Sequence, residues 1–221
     1  DPESAQLIHQ ALPRARVVMI LRNPVDRVHS NYWQYIKSGF ALPPLEELIA
    51  QPGEPTFEHM LRVSSYPEHI RRFQDQFGKE NVLVLGYEQL QTDAADVMNR
   101  ILRFLGVARP LDPEALQQPA ANTAGIPRSR LLARLLRQKK LIQAIKQWLP
   151  AALVAPGRRL LDRLRWRNTR VQAYAPLTPE QRRRLWQRLA TVPEEVETLT
   201  GLNLDAWKAD RDRTLDGRGG S

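Results

Sequence analysis

The run Val17-Val18-Met19-Ile20-Leu21, followed at once by Arg22 and Asn23-Pro24, constrains this chain more than any other stretch. Five consecutive apolar residues, mostly branched, are too few for a helix and do not alternate as a half-solvated strand would. They read as a strand buried on both faces, the habit of a parallel sheet. Asn23 suits a helix N-cap and Pro24 the first helical position, so the chain turns from strand into helix within two residues. That helix is expected to reach about Lys37, with Ser38-Gly39 as its stop. Strand, tight turn and helix in that order are half of a βαβ unit, which points to α/β architecture.

A second run of the same kind, Asn81 to Gly86, strengthens this reading. Between the two runs, helical spacing predicts a short helix at Leu45–Ala50, then helices over about Thr56–Val63 and Pro67–Phe77, with Gly78 closing the last. A first helix over Glu3–Leu12 precedes Pro13. Thr92 to Leu105 reads as an amphipathic helix with Val97, Ile101, Leu102 and Leu105 inward and Gly106 as its C-terminal stop. Far downstream, Thr178-Pro179-Glu180-Gln181 carries a capping box, an N-cap Thr paired with Gln at the third helical position. That helix is expected to reach about Ala190, and a last one to run from Pro193 to Gly201. The polar stretch from Asp210 to Ser221 reads as a frayed, flexible tail. Two buried strands make only part of a parallel sheet.

Charge is distributed unevenly. The chain of 221 residues has a net charge of +9, yet between Arg128 and Arg170 there are 13 Arg or Lys against the single acid Asp162. That surplus of +12 exceeds the total, so the rest of the chain is net acidic. A basic stretch attracts nucleic acid, acidic lipid, acidic glycan or a nucleotide, and charge alone does not choose among them. Leu131 to Leu149 interleaves leucines and isoleucines with Arg134, Arg137, Lys139, Lys140 and Lys146, as a helix packed on a core does. It equally suits a weak contact with acidic lipid or anionic glycan, with Trp148 and Trp166 near its ends. Interleaved aromatics for stacking bases are missing, so no specific nucleic acid is expected. The absence of cysteine excludes disulfides, thiolate metal sites and cysteine nucleophiles. His9, His29, His59 and His69 lack metal-ligand spacing, so no metal site is expected. No signal peptide and no apolar span is visible, which predicts a cytoplasmic protein, peripheral at most to the inner face of a membrane.

The stretch Arg16 to Tyr32, RVVMILRNPVDRVHSNY, carries the chemistry. Ligands of open α/β sheets bind outside the carboxyl ends of the strands, and a helix N-terminus there favours anions. Arg22 stands at that end with a planar, permanently charged fork suited to phosphate. Asn23, Arg27 and Ser30 follow at i, i+4 and i+7, so Ser30 shares a helix face with the strand-end turn.

This string resembles the 3′-phosphate-binding motif of sulfotransferases that use 3′-phosphoadenosine-5′-phosphosulfate (PAPS), in which a strand-ending Arg and a helix Ser eight residues later hold the 3′-phosphate. Arg22 and Ser30 have that spacing. Phe77 to Val82 running into Tyr87-Glu88-Gln89-Leu90 resembles the family's second strand and its following turn. Phe104-Leu105-Gly106-Val107, Asn122 to Ser129, Leu177 to Leu189 and Gly201 to Trp207 resemble further landmarks, so the likeness touches nearly the whole chain. The resemblance implies a P-loop-NTPase-like three-layer α/β fold, incomplete here and rich in C-terminal helices. It places a partial sulfotransferase domain over residues 1–209, with a strand and helix core over 1–110, a mostly helical part over 111–209, and the tail at 210–221. It implies PAPS as cofactor, adenosine 3′,5′-bisphosphate as product, and a saccharide or other hydroxylated small molecule as acceptor. Arg22 and Ser30 would bind the cofactor, Arg128 and Ser129 could close over the nucleotide, and Tyr66 could line the acceptor cleft or simply begin a helix. Arg27 is expected to be structural, pairing with Asp26 or a helix C-terminus, and Glu88 to orient or support the turn rather than act as a base. The family's glycine-rich loop for the 5′-phosphosulfate has no match here, since Gly39, Gly53, Gly78 and Gly86 are isolated. The catalytic residue is therefore unassigned, and activity of these 221 residues alone is not expected. The alternatives are a non-catalytic nucleotide-binding remnant, and a basic helical module for nucleic acid or membrane.

Overall fold

In the computed structural model, the described residues are 3–51, 53–108, 125–127, 129, 169–171 and 174–217. The basic stretch 128–170 lies almost wholly outside them, and with it the reading of that stretch as a polyanion surface. The chain forms two compact units, one from Asp1–Val28, Gly53–Pro119 and Thr178–Ser221, the other from His29–Pro52 and Ala120–Leu177.

The first unit is built on two parallel strands, β1 (Val17–Leu21) and β2 (Val82–Gly86), paired from Val17↔Val82 to Leu21↔Gly86. Both runs form where the apolar pattern places them. Parallel strands need a crossover, which here includes the first turns of α2 (Pro24–Lys37), then α4 (Pro55–Ser64) and α5 (Tyr66–Phe77). Glu54 caps α4 by accepting from the Phe57 N–H. Gly78, at φ 82°, ends α5 in a conformation that favours glycine, and a 3₁₀ turn at Lys79–Asn81 leads into β2. After β2 come α6 (Tyr87–Thr92) and α7 (Ala94–Leu105), the latter capped by Asp93, which accepts from the Asp96 N–H, and closed by Gly106 at φ 79°. α1 (Ser4–Ala11) packs near α5.

The C-terminal helices α8 (Pro179–Leu189), α9 (Val192–Thr200) and α10 (Asp205–Leu215) complete this unit. The capping box at Thr178 and Gln181 forms in both directions. Trp186, Leu185, Val196 and Trp207 are buried from these helices, and Val25, Val28, Ile70, Leu85 and Val97 from the rest of the unit. The helical pattern continues past Asp210 to Leu215, where a frayed tail was expected, because Asp210 is tied into the unit by three partners described below.

β1 departs from its reading as a strand buried on both faces. Val17 to Met19 are only partly covered and Ile20 is 45% exposed, whereas β2 is buried at Val82, Val84, Leu85 and Gly86. Among the described residues β1 pairs with β2 alone, so its second edge lacks a neighbouring strand to cover it.

The second unit contains α2 from His29 onward, α3 (Leu45–Ala50) and an antiparallel pair, β3 (Gly125–Pro127) with β4 (Thr169–Val171). Trp33 stacks on Tyr174 with ring centres 4.9 Å apart, and the Tyr32 hydroxyl donates to the Pro43 carbonyl at 3.2 Å.

Candidate functional site

The parallel register sets the site. Leu21 lies beside Gly86, so Arg22-Asn23 and Tyr87-Glu88 leave the sheet together at its carboxyl edge. Each holds the other. The Asn23 N–H donates to Glu88 Oε1 at 2.8 Å, and the Arg22 guanidinium lies over the Tyr87 ring, 5.5 Å from its centre, a cation–π arrangement. From a third direction the Tyr66 hydroxyl donates to the Arg22 carbonyl at 2.7 Å. Tyr66 is 5% exposed, and burial pushes its pKa well above the ordinary value, so it remains a donor.

Asn23 is the pivot of the turn. Its Oδ1 accepts from the N–H of Val25 at 3.0 Å and of Asp26 at 3.3 Å, while Nδ2 donates to Asp210 at 3.1 Å. The first N–H groups of α2 are thereby taken up by the helix's own cap. The sequence suggested free N–H groups here for an anion; the cap leaves that task to side chains.

Asp210 gathers α8, α10 and the start of α2 into one cluster. It accepts from Arg182 Nη2 at 2.6 Å and from Trp186 Nε1 at 3.0 Å, besides Asn23. Arg182 reaches on to Asp26 at 2.9 Å. Burial works against the Asp210 carboxylate, yet the hydrogen bond and charge of Arg182, joined by Trp186 and Asn23, outweigh it and hold its pKa below the usual carboxylate value. Asp26 therefore pairs with Arg182 rather than with Arg27. Asp210 carried no local signal: it sits in a polar stretch 187 positions from its partner Asn23.

Arg27 lines a cleft of about 350 Å³ beside β1, together with Met19, Ile20 and Leu21 of the strand and with Tyr66 and His69. Tyr66 thus both begins α5 and borders a cleft. Glu88 serves as an acceptor for the turn. Ser30 lies on α2, partly exposed. Ser129 is partly exposed and follows β3 by two residues, and Arg128 is outside the described residues. Among the described residues, no group of three His, Cys, Asp or Glu side chains is placed to hold a metal ion, and no helix is long and apolar enough to cross a membrane.

Residues 2–111 match the family model described as "Sulfotransferase family". Over 110 residues the chain is 28% identical to the human heparan sulfate glucosamine 3-O-sulfotransferase 6, covering 48% of this chain and 32% of that protein. Over 114 residues it is 32% identical to the Xenopus laevis bifunctional heparan sulfate N-deacetylase/N-sulfotransferase 1, covering 46% of this chain and 12% of the relative. Over 103 residues it is 33% identical to the 3-beta-hydroxysteroid sulfotransferase of Cavia porcellus, covering 47% and 34%. These stretches are about a third or less of each relative's length. In three dimensions the chain resembles a sulfotransferase from Alicyclobacillus acidocaldarius, with a TM-score of 0.58, 21% identity, and coverage of 94% of this chain and 63% of that one. That likeness shows a P-loop-like α/β fold.

Proposed function

We propose, from the premise that residues 2–111 belong to the sulfotransferase family, that this chain holds the 3′-phosphate end of PAPS through Arg22 and Ser30. When bound, PAPS supplies the sulfuryl group, which passes to an acceptor hydroxyl or amine as adenosine 3′,5′-bisphosphate leaves. The observation that carries the reading is the Arg22 turn. It stands at the carboxyl edge of the parallel strands, braced at its carbonyl by Tyr66 and at the next N–H by Glu88.

Bracing matters because sulfuryl transfer, like phosphoryl transfer, gains most from positioning and from fixed charge. A turn held from three directions gives the arginine one starting position, so less order has to be created on binding. Among the described residues Arg22 has no carboxylate partner; its guanidinium rests on Tyr87, leaving its N–H edge for an anion. Ser30, eight residues on, adds a neutral hydroxyl donor. The role of both is binding and register, and no residue is assigned here as catalytic base. Arg128 and Ser129 would add contacts to the nucleotide. Tyr66 borders the acceptor side by way of the cleft beside β1. Relatives are named for glucosamine and hydroxysteroid sulfation, so a hydroxylated saccharide or small molecule is the acceptor proposed.

Calorimetric titration of the 221-residue protein tests this. Adenosine 3′,5′-bisphosphate should bind well above adenosine 5′-monophosphate. Arg22→Ala should weaken the bisphosphate by about ten- to a hundredfold, the value of one charge-assisted bond, with Ser30→Ala weaker in effect. Equal affinity for the two nucleotides, or an Arg22→Ala protein that binds as the parent does, would overturn the assignment.

A further inference from the structure

A second groove runs along the outer edge of β2, away from the turn that carries Arg22. It has a volume of about 280 Å³ and is lined by Val82–Val84 of the strand, Gln74, Lys79, Arg100 and the segment Leu199–Leu202 at the end of α9. Two cations and no carboxylate line it. Among the described residues neither Lys79 nor Arg100 has an acidic partner. Arg100 donates one Nη1 hydrogen bond to Gln89 Oε1 at 3.3 Å, and the rest of its guanidinium remains for another acceptor. Other cations of the first unit are neutralised by acids, as in Arg71 with Glu195, Arg188 with Glu58, Arg211 with Glu194, and Lys208 with Glu197.

The strand adds donors. Among the described residues β2 pairs with β1 only, and the free edge of a strand presents alternate N–H and C=O groups. Gln74 is 8% exposed, and its Nε2 donates to the Leu199 carbonyl at 3.3 Å, which fixes the turn that forms the far wall. Gly201, at φ 69°, lets that turn close tightly after α9.

We infer that this groove is a binding site for a tetrahedral oxyanion, the phosphate or sulfate group of a small monoester, held between Lys79 and Arg100. Two cations lining one groove and a strand edge without a described partner match the charge and the several acceptor oxygens of such a group. The volume exceeds that of a bare anion and leaves room for the organic part of the ester. The site is separate from the Arg22 turn. Lys79 precedes Val82, at the opposite end of the register from Leu21 and Gly86, and five strand residues span roughly 13 Å at about 3.3 Å per residue. The inference does not depend on the nucleotide reading.

The test is an amide NMR titration of the 221-residue protein with inorganic phosphate and, separately, inorganic sulfate. Amides of Leu83 and Gly201 report on the groove, and those of Asn23 and Ser30 on the other turn. In the parent protein Leu83 and Gly201 should shift and saturate. The double variant Lys79→Gln/Arg100→Gln should lose at least about tenfold in that affinity, and Arg22→Ala should leave it unchanged. Lys79→Glu, an exposed position, gives a second variant should Arg100→Gln disturb α7, and its melting temperature should match the parent's. Tighter phosphate or tighter sulfate would each uphold the site and name the source of its ligand. Absence of saturable shifts at Leu83 and Gly201, or a double variant that titrates as the parent does, would overturn it, whatever Asn23 and Ser30 report.

Discussion

Tyr66 donates its hydroxyl proton to the backbone carbonyl of Arg22, 2.7 Å away and nearly out of reach of solvent. Tyr66→Phe removes the donor without changing packing and leaves a buried carbonyl unpaired, at about 1–2 kcal/mol of stability. Bisphosphate nucleotide affinity should fall as well, since the turn loses one of its braces. Because burial raises the folded-state pKa, the native protein keeps this proton while the unfolded chain gives it up. The contribution is complete below about pH 10, and stability declines as pH rises beyond that. Denaturant melts from pH 8 to 11 should show a steeper alkaline decline in the parent than in Tyr66→Phe.

Asp210 sets the acid limb. Its folded-state pKa is depressed, chiefly by Arg182 acting against burial, so its stabilising effect is present above the ordinary carboxylate value near about 4 and is lost as pH falls through the lower folded value. Asp210→Asn should cost about 2 kcal/mol at neutral pH and should flatten the loss of stability between about pH 4 and 2. Urea titrations at stepped pH measure both.

Glu88 distinguishes an orienting role from a chemical one. Glu88→Gln keeps an acceptor for the Asn23 N–H and should retain nucleotide affinity within about threefold. Glu88→Ala strips the acceptor and should weaken binding further and cost about 1 kcal/mol. Equal loss in both variants would mean the charge, not the hydrogen bond, is what matters.

Thr178→Ala removes one arm of the capping box at the start of α8. Stability should drop by about 1 kcal/mol, read as a lower urea midpoint with an unchanged slope. Nucleotide affinity should not change, which separates this helix start from the Arg22 turn.

Local chemistry was legible and distant pairing was not. Val17–Leu21, the Asn23-Pro24 helix start, the Gly106 stop and the Thr178–Gln181 box all depend on residues within a few positions of one another, so their patterns survive in the sequence. The candidate site was legible as far as the strand-end arginine and its helix. What braces it was not. Tyr66 reaches Arg22 across 44 positions and Glu88 reaches Asn23 across 65, and no periodicity records such partners. The polar composition after Asp210 suggested fraying, because composition does not show that one carboxylate there would be satisfied by three donors. The exposure of Ile20 was hidden for a similar reason: an apolar run specifies a strand but not how many neighbours cover it.

The bond from Asn23 to Asp210 ties the turn after β1 to α10. On a ribosome, the turn is made 187 positions before Asp210 and must wait for the residues between before it acquires its full set of partners. Contacts of such long sequence separation form slowly, and until they form the nascent chain carries β1 and α2 without the clasp that secures them. A nascent chain halted before residue 210 would emerge with its arginine in place but its turn unsecured.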